Sequence, residues 1–225
     1  MNTTETASLR RFDSDSVFVS LLPRVFPHYK EGLSEEEKIA EYKESTSRPK
    51  EISLTRLVHK CDDKAAQMQH IYDEPDHELQ LSMICRELQV VTISTSIWTM
   101  ASGTSPKERI KEYNGVVVLL FEDVDSVEAT KQKLVTLPYL WYAGRGTDGR
   151  SVIALVPTDN RDYRKHDLYF GSLEAQMRTL GLKAAPKGRN PLAVYFIWRD
   201  PNPVINDSCC LYSLSRQHKH KLQEE

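Results

Sequence analysis

The chain predicts an α+β protein with a ferredoxin-like (RRM-like) β-α-β-β-α-β core, built on an antiparallel sheet and preceded by a helical N-terminal portion. Three observations carry this expectation. A six-residue apolar run, Val116 to Phe121, breaks abruptly into acids, as a buried strand does at its end. Two strand-like segments, YLWYA (139–143) and SVIALVP (151–157), flank the turn Gly144 to Gly149, which predicts a hairpin. A helical pattern over Asp167 to Leu180, with Gly181 suited to its C-terminal cap, precedes the strand-like LAVYFIW (192–198).

The remaining elements follow in chain order. VFVSLL (17–22) reads as a strand, and Ser34 ahead of Glu35, Glu36 and Glu37 has the chemistry of a helix N-cap, with the helix running to about Ser45 and closed by Pro49. A second helix is expected over Asp62 to Ile71. A third follows Pro75, where Leu79, Leu81, Ile84, Cys85 and Leu88 recur on one face. VVTISTSI (90–97) is strand-like through its β-branched residues. In the core, Asp125 and Glu128 form a D-x-x-E capping pattern for a helix to about Leu137, ended by Pro138. The expected organisation is a flexible N-terminus (1–14), a helical portion with short strands (15–110), the ferredoxin-like core (111–207) and a basic tail (208–225).

With 225 residues, 40% hydrophobic and 28% charged at a net charge of -2, the chain has the composition of an ordinary folded protein, so a nucleic-acid surface has to be a local patch. Neither a secretion signal nor a membrane span is legible, which points to the cytoplasm and to no membrane partner. Cysteines 61, 85, 209 and 210 form no CxxC pair. His59, Cys61, His70 and Asp73 match no zinc-finger spacing. The tail Arg216 to Lys221 could meet phosphate but equally reads as a solvated basic run. RNA-recognition modules share the expected fold and stack bases on aromatics in the central strands; RSVIALVP has none, so that function fits poorly.

Chemistry concentrates at NGVVVLLFEDVDSVE (114–128), where Glu122, Asp123 and Asp125 cluster after the apolar strand as carboxylates do around a metal. Strand alternation places Leu120 and Glu122 on one side and Phe121 and Asp123 on the other, so a same-side pair of acids is missing. In the glycine-rich turn, Gly144, Gly146, Thr147 and Gly149 with Arg145 and Arg150 are either a phosphate cradle or a plain hairpin turn. Lys183, Lys187 and Arg189 form a second basic group, and His166 sits at a helix start.

Residues 80 to 207 resemble the primase-polymerase-like N-terminal domains of the archaeo-eukaryotic primase superfamily, of the type found beside VirE-type helicases in Bacteroides mobile elements. The resemblance is carried by VVTISTSI, Gly115-VVVLL-FED, GRGTDGRS, Gly181-Leu182, the loop KAAPKGRNP and WRDPNPVIN, in that order. It implies a site holding Mg²⁺ or Mn²⁺, with Glu122 as the surviving catalytic acid and Asp123 and Asp125 as further metal ligands. It also implies phosphate contacts from Gly144, Arg145, Gly146, Thr147, Gly149, Arg150, Lys187 and Arg189. Leu120 stands where the family carries its first aspartate, and Ala185 or a neighbour where a later one falls, which implies impaired catalysis. Three readings remain: a nucleic-acid or nucleotide binder in mobile-element replication with lost catalysis, an active nucleotidyltransferase with a shifted acidic site, or an interaction module that meets a helicase or replication partner.

Overall fold

The computed structural model describes residues 11–24, 32–40, 49–59, 65–99 and 105–214. The basic tail Arg216 to Lys221 and Cys61 lie outside them, as does the expected helix beyond residue 40, of which α1 (35–40) is described. Two four-stranded sheets form the body. The first has the order β2-β1-β3-β9, from Lys50–Ser53, Phe18–Arg24, Gln89–Thr92 and Val194–Phe196. The second has the order β10-β7-β8-β6, from Val204–Ile205, Tyr142–Arg145, Val152–Pro157 and Val116–Phe121. A short hairpin, β4 (Thr95–Ile97) with β5 (Ile110–Tyr113), stands beside them. The helices are α2 (Leu54–His59), α3 (Ala65–Tyr72), α4 (His77–Glu87), α5 (Pro106–Arg109), α6 (Val127–Val135) and α7 (His166–Thr179).

The mixed α+β character holds, but the ferredoxin-like order does not. β6, β8 and β7 pair antiparallel as that fold requires. The fourth strand leaves: β9 pairs with β3 of the other sheet, Val90 opposite Phe196 and Thr92 opposite Val194. Beside β6 lies a non-strand segment instead, where Ala185 N donates to Leu120 O at 2.7 Å. Pro186 and Pro191 bracket that stretch and deny it the ladder donors a strand needs. The described part of the portion before residue 110 carries α2 to α5 and supplies β1, β2 and β3 of the first sheet.

Side-chain alternation along β6 fixes the layers. Val117, Leu119 and Phe121 pack with Leu134 of α6 and Phe170, Leu173 and Met177 of α7. Val116 and Val118, with Leu120 against them, face the opposite way toward Val19, Val91, Tyr195 and Trp198. β8 between its neighbours is buried at every position. The run 90–97 divides at Ile93 and Ser94 because the Asn114 amide donates to Ile93 O and Phe18 O, both at 2.8 Å, holding the chain in a bend. Ser126, not Asp125, caps α6 by accepting from Ala129 N at 3.2 Å, because the helix begins one residue later than the D-x-x-E pattern places it.

A buried ion pair closes the far end. Lys131 Nζ lies 2.9 Å from Asp200 Oδ2 with both side chains 1% exposed, and it also donates to Asn202 O. Asp200 accepts further from Arg145 N and Asn202 N. Burial alone would raise its pKa, yet the bonds from Lys131, Asn202 and Arg145 together hold it below the ordinary carboxylate value. The pair thus pins the segment that carries β10 onto α6 and β7.

Removing Asp200 leaves the buried Lys131 with only the half-exposed Glu128, 2.8 Å away, as an acid partner, and frees the N–H groups of Arg145 and Asn202. Asp200→Ala is expected to cost about 3–5 kcal/mol in urea unfolding. Lys131→Met combined with Asp200→Leu should recover part of that loss, and a cost below about 1 kcal/mol for Asp200→Ala would show the pair does not hold this segment.

Candidate functional site

The layer between the sheets opens into a cleft of about 180 Å³ at the end of β6. Leu120 and Glu122 border it from the strand, Gly146, Thr147, Asp148, Ser151 and Ile153 from the β7–β8 hairpin, and Lys187 from the loop before β9. Tyr195, Phe196 and Trp198 line it with aromatic rings, and His77, Gln80, Leu81 and Ile84 line it from α4. Leu120 therefore faces the cleft beside Glu122, as strand alternation requires. The acids after it separate. Asp123 takes φ 50°, a left-handed conformation that an aspartate tolerates and that turns the chain out of the strand. Neither Asp123 nor Asp125 borders the cleft, and both are exposed.

The glycine-rich turn is closed upon itself. Asp148 Oδ1 accepts from Arg150 N (3.0 Å), Ser151 N (2.8 Å) and Ser151 Oγ (2.6 Å). Gly146 N donates to Ser151 O and Gly149 N to Gly146 O. Gly149 takes φ 72°, and a Cβ there would stand 3.0 Å from the Tyr72 ring, so the turn lies flat on α3. Of the turn's backbone donors, those of Thr147 and Asp148 are without a partner among the described residues. Gly144 is buried within β7 rather than in the turn. The hairpin therefore offers a narrow set of donors instead of a broad cradle.

The basic residues named from the sequence are divided by the fold. Lys187 borders the cleft, its Nζ 5.0 Å from the centre of the Tyr195 ring. Partial burial lowers its pKa, and Glu122 acts in the opposite sense. Arg150 stands at the rim, donating to His77 Nδ1 at 3.0 Å. Arg145 leans over Tyr72 at 5.6 Å, with its buried Nε unpaired. Arg189 is drawn away altogether: its nitrogens meet Asp167 at 2.7 Å and Glu174 at 2.6 Å on α7, over the ring of Phe170.

The donor set does not fit a pair of divalent ions. Two-metal transfer holds its ions roughly 3.5–4 Å apart with several carboxylates. Among the described residues no three His, Cys, Asp or Glu side chains group to hold a metal, and Asp148, the second acid on the cleft, is turned into its own hairpin. Of the two acids that border the cleft, Glu122 alone has a carboxylate without a hydrogen bond or ion pair to the described residues.

What sequence reasoning passed over is the apparatus that sets Lys187 in place. His166 is fully buried. Its Nε2 lies 2.9 Å from Gly188 O, an acceptor only, so Nε2 carries the proton and donates. Nδ1 then accepts from Tyr113 Oη at 2.9 Å, and Tyr113 Oη accepts from Asn160 Nδ2 at 3.1 Å. Gly188 is held so close that an added Cβ would meet Val118 O at 2.2 Å. His166 thus stitches the residue after Lys187 to the edge of β6. Gln80 does the same for the hairpin, donating to Ile71 O at 2.9 Å and Asp148 O at 3.2 Å. The sequence carried no such signal: it put Leu79, Leu81, Ile84, Cys85 and Leu88 on the buried face of α4, whereas Leu79 and Leu81 are half exposed and Gln80 is buried beside Ile84.

No family model matches the chain, and no curated protein matches it. A similar solved structure is the primase-polymerase (PrimPol) AEP domain of cyanophage S-2L, 14% identical, covering 92% of this chain and 89% of that one with a TM-score of 0.41. At that depth the likeness decides no chemistry, and the cleft itself has to.

Burial pushes the His166 pKa below its ordinary value of 6.5, outweighing the opposing effects of Gly188 O and Asp167. A base with a lowered folded-state pKa contributes its full stability above the unfolded value and loses it as pH falls through the folded one. Stability of the wild type should therefore decline on acidification below about pH 6.5, and His166→Gln, which can still donate and accept, should flatten that decline. Urea midpoints measured at successive pH values check this; equal slopes for the two proteins would refute it.

Proposed function

We propose that this protein binds single-stranded nucleic acid or a nucleotide through the inter-sheet cleft and does not carry out efficient metal-dependent nucleotidyl transfer. The observation that carries the reading is the cleft's composition. An aromatic and aliphatic wall, the unpaired Lys187 ammonium and the open N–H groups of Thr147 and Asp148 lie together, with a single uncommitted carboxylate among them. Planar bases favour such a surface because every base has a face to stack, and phosphates favour the cation and amide donors. The same composition starves metal chemistry, since Leu120 occupies the position on β6 from which a second acid would reach Glu122. The setting of mobile-element replication, with a helicase or replication partner, belongs to this proposal through the sequence resemblance alone.

Filter binding of a labelled single strand at low salt tests the reading. Binding should weaken steeply as salt rises, and Lys187→Ala should weaken it about tenfold while reducing the salt slope by about one. Arg189→Ala should leave the slope unchanged, because that guanidinium is already engaged by Asp167 and Glu174. Absence of binding at low salt would overturn the proposal. So would template-dependent extension with manganese that is lost in Glu122→Ala.

A further inference from the structure

We propose that the cleft selects a guanine base, through Glu122 and Lys187 acting together on its Watson–Crick edge. This rests on the nucleic-acid or nucleotide reading above and narrows it to one base.

Size limits the occupant first. At about 180 Å³ the cleft is smaller than the roughly 300–1,000 Å³ of a site that engulfs a drug-sized ligand, so it accepts one ring system and leaves sugar and phosphate at the mouth. Its walls suit a planar ring: Leu120, Ile153 and Phe196 are apolar and partly or wholly buried. The open N–H groups of Thr147 and Asp148 belong to the hairpin that borders the cleft and suit a phosphate that follows the base.

The polar end then chooses among the bases. Glu122 and Lys187 border the same small cleft and feel each other's charge, yet they form no ion pair within 4.0 Å. Each keeps its hydrogen-bonding capacity: the carboxylate has two acceptor oxygens, and the ammonium has three donors with one flank resting on Tyr195. An edge that bridges them must offer an acceptor to Lys187 beside donors to Glu122. Guanine presents O6 next to N1–H and N2–H, so its two adjacent donors match both carboxylate oxygens while O6 takes the ammonium. Adenine and cytosine each offer one amino group beside a ring nitrogen and can engage the carboxylate only once. Uracil and thymine flank their single N–H with carbonyl oxygens, which a carboxylate repels. Glu122 is thereby used as an acceptor pair, the chemistry left to a carboxylate that has no neighbouring acid with which to hold an ion.

Calorimetric titration with GMP, IMP, AMP and CMP, in the absence of divalent ions, tests the proposal. Inosine lacks only the N2 amino group. GMP should bind about tenfold more tightly than IMP or AMP, the scale of one well-formed bidentate base contact. Glu122→Gln replaces one acceptor by a donor and should abolish the difference between GMP and IMP. A parallel arm uses fluorescence anisotropy with an oligo-dT strand carrying a single dG or a single deoxyinosine. Selectivity in both arms, or in the strand alone, supports the guanine site and identifies a free nucleotide or a strand as its source. Binding of all four nucleotides and both strands within twofold of one another would overturn base selection while leaving the binding reading intact. No binding in either arm would overturn both. Thermal midpoints of the variant equal to wild type exclude unfolding as the cause of a lost difference.

Discussion

The hydrogen bond from Ala185 N to Leu120 O, 2.7 Å long, covers the last part of an otherwise open strand edge, and the cleft depends on it. β6 lies at the rim of its sheet, paired only on its β8 side. In a ferredoxin-like order another strand would occupy the free side and close the layer. Here a proline-bracketed segment does so at few points, with Gly188 pressed against Val118 O and fixed from behind by His166. The covered edge ends at Leu120, and just beyond it lies the opening that Leu120, Glu122 and Lys187 share. β9, displaced from β6, joins β3 and brings Tyr195 and Phe196 to the same opening.

What the sequence made legible was what local chemistry decides. The β7–β8 hairpin could be read because glycine-rich turn chemistry and β-branched flanks act over a few residues, and β6 because six apolar residues in a row have few other homes. The partner of β9 was not legible. Val194 to Phe196 would satisfy either β6 or β3 equally in composition, and the choice is made by prolines and by packing more than 70 residues away in the chain, where no periodicity reports it. The α6 cap shows a finer failure: Asp125 and Ser126 are both good capping residues, and the difference between them is one residue of register.

The basic loop shows why charge in a sequence is weak information about a site. Lys187 and Arg189 are two residues apart, yet one borders the cleft and the other is held by two carboxylates of α7. Between them Gly188 is the pivot, since its backbone carbonyl reaches His166 while its missing side chain admits Val118 and Phe170. The contribution of α4 was hidden for the opposite reason. His77, Gln80 and Leu81 belong to a helix whose periodicity announced only an apolar face, and their place on the cleft follows from tertiary bonds between Gln80, Asp148 and Arg150.

Leu120 and Glu122 together decide what chemistry that opening can support. Residues two apart on a strand stand about 6.6 Å apart on one face. Two acids so placed converge on a shared ion, whereas a leucine beside a glutamate gives an apolar surface ending in an acceptor pair. The exit of the chain through Asp123 at φ 50° removes the nearest substitute, because it carries Asp123 and Asp125 off the cleft. An occupant that donates two adjacent N–H groups uses both oxygens of the Glu122 carboxylate, and Lys187, which borders the same opening, takes the acceptor beside them.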